Sequence, residues 1–165
     1  MYLCVPRNMT QATGMYNTLL KSDDAAIVIE CLNGYRLKET LPDNISDFTV
    51  PLGRPDVLSD GNDITLVTYG SCVREAIKAV SLLSRLNINV ELIDVQTLMP
   101  FDLEGIIIKS LQKTNRLLIV DEDVPGGGSA YILNKILVEG NGYKYLDSTP
   151  KCLTAEEHRT PFGSD

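Results

Sequence analysis

Three adjacent carboxylates, Asp121, Glu122 and Asp123, run into Val124-Pro125-Gly126-Gly127-Gly128-Ser129, the densest group of side chains suited to chemistry in this chain. A row of acids can hold a cation or meet a basic partner surface. A glycine run can cradle a phosphate in its backbone amides. No lysine or Ser/Thr follows at phosphate-loop spacing, so the glycines read as a sharp turn that lets a helix approach closely. His158, in EEHRTPFG, is the single histidine. A general base needs an orienting partner, and His158 stands among charged residues outside every predicted element, so a surface contact suits it better. Tyr35 and Arg36 follow a predicted strand; Arg36 can clamp a carboxylate bidentately or brace a domain junction. Gly70-Ser71 opens a helix after a strand, where backbone amides can bind an anion, but a lone glycine also serves as a tight packing turn.

The four cysteines, Cys4, Cys31, Cys72 and Cys152, are far apart in sequence and form no CxxC pair. Each lies in or beside an apolar run, as structural thiols of a reducing compartment do, and this predicts a cytoplasmic protein. One histidine excludes a multi-histidine metal site. A net charge of −7 argues against nucleic acid or an anionic membrane as partner, since phosphate binding needs clustered Lys and Arg. The longest apolar runs, such as Leu117 to Val120, are too short to span a bilayer, and Arg7 and Asn8 break up any signal-like start. With 44% hydrophobic and 22% charged residues the composition is that of a soluble globular protein with a sizeable core.

The elements that must position these groups follow from periodicity. Residues 2–5 and 26–30 read as short buried strands, and 10–21 as a helix with Ala12, Met15 and Leu19 on one face, capped by Asn8 or Thr10. This β-α-β piece, residues 1–33, has too little apolar surface to fold alone. It reads as the tail of a larger domain, poorly anchored unless it borrows a sheet edge from the rest of the chain or from a second copy. Residues 34–62, rich in Pro, Gly, Asp and Asn, read as a linker. From Asp63 to residue 165 the pattern is β/α. A strand over 64–69 is followed by a helix over 71–86, with Val73, Ala76, Ile77, Val80 and Leu83 as its buried stripe and Ser71 as N-cap. A strand over 90–95 comes next, then a helix announced by Pro100-Phe101-Asp102 with Asp102 as N-cap. A strand at Leu117–Val120, a helix from Ala130 to Val138, and two short strands at 143–146 and 151–153 complete the pattern. The predicted fold class is α/β: a three-layer αβα arrangement around a mostly parallel, mixed five-stranded sheet, preceded by the β-α-β fragment. The abrupt ends suggest a truncated polypeptide.

Four stretches, in order, carry a resemblance. IVIECLNGYRLKETLP resembles the end of a pyrimidine-binding domain, and DFTVPLGRPDVLSDGNDITLVTYG the entry to a transketolase-type C-terminal domain. VELIDVQTLMPFD resembles an I-D-L-R-T-L-x-P-x-D segment, and KTNRLLIVDEDVPGGGSAYI a K-T-x-R-x-x-V-x-H-E-x-x-x-x-G-G-x-G-A-E-I segment. Together they resemble the C-terminal half of the beta subunit of thiamine-diphosphate-dependent 2-oxo acid dehydrogenases, as a separate chain or as part of an alpha–beta fusion. The chain departs from the pattern at Asp121, where many relatives have His, at Gln96 in place of Arg, and at Ile132, which lacks the acidic neighbour.

The resemblance implies a role in the decarboxylating component of a pyruvate or branched-chain 2-oxo acid complex. That component uses thiamine diphosphate and Mg2+ and passes the acyl group to a lipoyl acyltransferase component. The carboxylate that activates the coenzyme and the groups that hold its diphosphate belong to regions outside these 165 residues. This piece is therefore expected to bind no coenzyme or metal and to lack catalysis alone. Its expected work is dimerisation and docking, in a homodimer or an alpha/beta heterotetramer. Glu122 matches the family position and, with Tyr35, Arg36, Asp123 and His158, is a candidate interface or docking residue. The other readings are a non-catalytic assembly or binding module, and the C-terminal domain of transketolase or deoxyxylulose-phosphate synthase, which the YR…PLG linker disfavours.

Overall fold

A computed structural model describes residues 1–157; His158, one of the candidate contact residues, lies outside them. The chain order is β1 (Tyr2–Cys4), α1 (Met9–Leu19), β2 (Ala26–Val28), β3 (Asp56–Ser59), β4 (Ile64–Thr68), α2 (Cys72–Ser84), β5 (Val90–Asp94), β6 (Thr97–Met99), α3 (Ile106–Thr114), β7 (Leu117–Val120), α4 (Gly128–Leu133) and β8 (Lys151–Leu153). A π-helical stretch, Asn134–Glu139, continues α4.

The main sheet has the order β3-β5-β4-β7-β8. β5, β4, β7 and β8 are parallel, and β3 adds an antiparallel edge against β5. Helix α2 covers one face, where Ala76, Val80 and Leu83 pack on Leu66, Val90 and Leu92. Helices α3 and α4 cover the other, where Ile107, Leu111, Ile132 and Ile136 pack on Val67, Ile93 and Ile119. Strands buried on both faces explain the near-continuous apolar runs VELIDV and LLIV. This is the α/β fold with a mixed five-stranded sheet that periodicity predicts.

Alternation fixes β4's register: Val67 faces the α3/α4 layer and Leu66 the α2 layer. Thr65 points into the α3 side as well, where its hydroxyl meets Ser110 Oγ and Thr114 Oγ1, each at 2.6 Å. Three buried hydroxyls thereby satisfy one another at the foot of α3. Helix α3 begins under Asp102, whose carboxylate accepts the Ile106 and Ile107 amides at 2.8 Å each. The N-cap position itself is Gly105, so Asp102, expected there, instead reaches the first amides of the helix from three residues upstream.

The N-terminal unit does borrow an edge. β1 pairs in parallel with β2 and antiparallel with β6, giving a second sheet of order β2-β1-β6 in which β6 belongs to the C-terminal half. Asn8 caps α1 by accepting the Gln11 amide at 2.9 Å, and Cys4, Met15 and Val50 form a small core beneath it. Glu39, from the connecting segment, accepts the Met9 and Thr10 amides at the same helix start.

Four local expectations change. Ile27 and Ile29, on the face opposite Val28, are half exposed rather than buried, while Val28 packs on the small core. The segment read as a linker supplies strand β3, because Asp56–Ser59 finds the free side of β5. Residues 143–146 form no strand: a short 3-10 turn, Gly142–Tyr145, packs on the π-helical stretch through close approaches at Gly142. Ile77, counted in the buried stripe of α2, is 46% exposed and faces a cleft.

Candidate functional site at the switch point of the sheet

The connection leaving β4 runs over one face through α2, and the connection leaving the adjacent β7 runs over the other through α4. The carboxyl ends of β4 and β7 thus flank a topological switch point, the place where open α/β sheets form crevices. β4 ends in Tyr69-Gly70-Ser71 and β7 in Asp121-Glu122-Asp123. Two side-chain hydrogen bonds cross between them. The Tyr69 hydroxyl donates to Asp121 Oδ1 at 2.9 Å, and the Ser71 hydroxyl donates to Glu122 Oε2. Ser71 therefore makes no side-chain cap to α2; its hydroxyl is turned across the crevice to Glu122.

Asp121 is the buried member of the acidic row, 4% exposed. It also accepts the Asp123 amide at 3.2 Å and the Ser129 amide at 2.7 Å, which folds the glycine turn back over the strand end. With three donors around it the carboxylate is satisfied without a metal ion. A Cβ on Gly127 would fall 2.0 Å from Asp123 Oδ2, and one on Gly128 2.3 Å from Tyr69 Oη. Those glycines are there for close approach, as their sequence context predicts. Glu122 and Asp123 are exposed. Burial, first, and then Asp121 push the Tyr69 hydroxyl well above its ordinary range, so it stays a donor at any physiological pH.

Beside the switch point a cleft of about 320 Å3 opens between the start of α1, the segment after β2 and the start of α2. Its walls include Pro6, Met9, Val73 and Ile77, with Cys31 and Arg74 among them. Burial, then Glu122, pushes the Cys31 thiol up, and the same causes act on Cys72, so both remain protonated thiols rather than nucleophiles. At its rim, Glu30 accepts hydroxyl hydrogen bonds from Tyr16 and Tyr35, each at 2.5 Å. These bonds hold Glu30 below the ordinary carboxylate range and raise Tyr16 to about 12. The structure thus gives Tyr35 a partner, Glu30, while Arg36 next to it is exposed and makes no ion pair among the described residues. Tyr35 lies on the cleft side of the molecule, and Glu122 and Asp123 lie at the end of the sheet.

A buried ionic contact at this end of the sheet was not singled out by sequence reasoning. Arg7, just past β1, donates to Asp94 Oδ2 at 2.8 Å and to Asp56 Oδ2 at 2.9 Å. Asp94, at the end of β5, is fully buried, and desolvation raises its pKa to about 6 even though Arg7 pulls it down. The signal was present in the sequence: an acid inside the apolar run VELIDV must meet a cation or a donor.

Residues 53–164 match the family model "Transketolase, C-terminal domain". The chain belongs to the transketolase C-terminal domain family. The beginning of the match, ahead of Asp63, takes in β3. The pyruvate dehydrogenase E1 component subunit beta of Mesostigma viride is 36% identical over 151 residues, which is 92% of this chain and 45% of that protein. The acetoin:2,6-dichlorophenolindophenol oxidoreductase subunit beta of Bacillus subtilis (strain 168) is 35% identical over 158 residues, 96% of this chain and 45% of that protein. Among solved structures, a split gene transketolase described as an inactive beta4 tetramer superposes with a TM-score of 0.75 at 19% identity, covering 95% of this chain and 48% of that one. The chain thus spans about half the length of the relatives it matches. Ahead of the matched residues, β1, α1 and β2 join the rest of the chain through the pairing of β1 with β6. No helix among the described residues is long and apolar enough to cross a membrane.

Proposed function

We propose that this chain is the C-terminal half of the beta component of a thiamine-diphosphate-dependent 2-oxo acid dehydrogenase, acting in the cytoplasm in subunit assembly and docking. One observation carries the reading: likeness to beta subunits of pyruvate and acetoin enzymes extends across more than nine-tenths of the chain, from the β-α-β unit into the C-terminal domain. The whole enzyme would decarboxylate a 2-oxo acid and hand the acyl group to a lipoyl acyltransferase component. Thiamine diphosphate with Mg2+ would supply the electron sink for that chemistry.

The residues of this chain do not fit the coenzyme's diphosphate and metal. The glycine turn faces the carboxylates of Asp121 and Asp123, which repel an anion, and no group of three or more acids, cysteines or histidines placed to hold a metal occurs among the described residues. No catalytic step is therefore assigned to these side chains. Their part is mechanical: β1 and β6 tie the preceding domain to the sheet, and Arg7 locks that junction. The exposed Glu122, Asp123, Tyr35 and Arg36 are the positions proposed to face other subunits, within a homodimer or alpha/beta heterotetramer.

The test is a chimera in which this chain replaces the corresponding half of a pyruvate dehydrogenase beta subunit. Assembly with the alpha subunit and 2-oxo-acid-dependent acylation of a lipoyl domain are the expected results. A chimera that folds but neither assembles nor acylates would refute the assignment.

A further inference from the structure

Large apolar side chains that face water beside one another mark a surface made to be covered. Met9, Leu37 and Ile77 are each more than a third exposed, and all three line the cleft of about 320 Å3 between the start of α1, the segment after β2 and the start of α2. Pro6, Ala12 and Val73 complete an apolar wall, and Cys31 lies in it.

The charges around its mouth are unequal. Arg7 reaches the wall, but its guanidinium is divided between Asp94 and Asp56. Arg74 shares Glu75 with Lys78, and Lys38 makes no ion pair among the described residues. Glu39 is turned to the Met9 and Thr10 amides at the start of α1, where the helix dipole favours it. Glu30, on the wall, is kept ionised by the hydroxyls of Tyr16 and Tyr35. Glu122 stands beside the cleft through its bond to Ser71, another wall residue. Neither Glu30 nor Glu122 has a cation on it among the described residues. With Asp123 next to Glu122, the acids outnumber the bases here even when the exposed Arg36 is counted.

We propose that this cleft docks a short segment of a partner polypeptide in which a basic residue stands next to one or two large apolar residues. The apolar side chains pack against Met9, Leu37, Val73 and Ile77, and the basic one meets Glu30 and Glu122. Covering half-wet apolar surface in a concave pocket supplies the affinity, and the charge selects the sequence. A second copy of this chain is a poor occupant, since each copy carries a net charge of −7 and would bring acids to acids. A fatty acid or other anionic amphiphile meets the same repulsion. The docking rests on the reading of Tyr35 and Glu122 as contact positions, but not on 2-oxo acid chemistry.

The probe is the acetylated, amidated pentapeptide Gly-Arg-Leu-Phe-Gly, added to the whole chain. Two reporters sit in the cleft: the Cys31 thiol, whose alkylation by iodoacetamide is mapped by mass, and the Ile77 methyl resonances. Saturable slowing of Cys31 by at least threefold is expected, with the exposed Cys152 unchanged, together with saturable shifts of the Ile77 methyls. Peptides with Glu for Arg, or Ser for Leu and Phe, are expected to bind at least tenfold more weakly. Ile77→Ser, on the open face of α2, and Glu122→Gln, which keeps an acceptor for Ser71, are each expected to weaken the probe at least fivefold while melting as the parent does. No saturable effect on either reporter, equal binding of the Glu peptide, or unchanged affinity in Ile77→Ser would each overturn the proposal. So would a chain that dimerises in sedimentation and shields Cys31 as it does so. The chimera can still assemble and acylate if the peptides fail to bind, so the two readings fall separately.

Discussion

The Arg7 guanidinium lies 2.8 Å from Asp94 Oδ2, and this contact joins the end of β1 to the carboxyl end of β5. Arg7 is 15% exposed at its side chain and Asp94 is fully buried, so the pair is largely removed from water. Such a pair is costly to form but more costly to break from one side, since the remaining charge has nothing to meet. It is the polar counterpart of the β1–β6 pairing, and both hold the N-terminal unit to the C-terminal domain.

Replacing Arg7 by methionine keeps much of the apolar stem and deletes the charge. The expected cost is about 2 kcal/mol at pH 7.5, where Asp94 is ionised in the parent protein. At pH 4.5 Asp94 already holds its proton and the cost should fall below about 1 kcal/mol. Urea unfolding at the two pH values measures the difference. An equal loss at both would mean that the pair does not stabilise the junction.

Asp94 also sets a pH dependence of the parent protein. Its pKa is raised to about 6 in the fold, so its contribution to stability is complete below the ordinary carboxylate range and is lost as pH rises through about 6. The expected loss between pH 4 and 7 is of the order of 3 kcal/mol, and Asp94→Asn should flatten the curve in that window. Glu30 acts in the opposite sense and at lower pH. Its pKa is lowered by the Tyr16 and Tyr35 hydroxyls, so its contribution is present above the ordinary range and disappears as pH falls below it. Denaturation midpoints recorded at half-unit steps separate the two.

Gly61→Ala should be among the most damaging single substitutions in the chain. A Cβ there would lie 2.3 Å from the Val90 carbonyl carbon and 2.5 Å from the Asn89 oxygen, and backbone at the start of β5 cannot give way. A loss of at least about 2 kcal/mol is expected in thermal or urea unfolding, by the cost of overpacking. Gly105→Ala, with open space around it but a φ of +65°, should lose only about 1 kcal/mol.

The β/α unit from β4 to β7 was legible because strands buried on both faces are apolar throughout and α2 carries its stripe at helical spacing. Asn8 as cap, Asp102 as acceptor at the start of α3 though not its N-cap, and the close packing at Gly127 and Gly128 were legible because each residue type does one thing best at its position. β3 was hidden, since an edge strand paired on one side needs only four residues and no apolar run. Ile27 was misplaced because an apolar run does not reveal that one side of its sheet is open. At the switch point, the acidic row was visible, but its division into a buried Asp121 and exposed Glu122 and Asp123 depends on Tyr69 and Ser129, which are distant in sequence. Arg7, Asp94 and Asp56 are joined by folding alone, with sequence separations of 87 and 49 residues.

The central proposal is that this chain serves as a scaffold and that thiamine diphosphate is held by other parts of the proposed enzyme. Thermal melting of the purified chain with and without saturating thiamine diphosphate and Mg2+ tests it most directly, because any ligand of the native state must raise Tm. An unchanged Tm is the predicted result. A saturable rise of several degrees would contradict the claim.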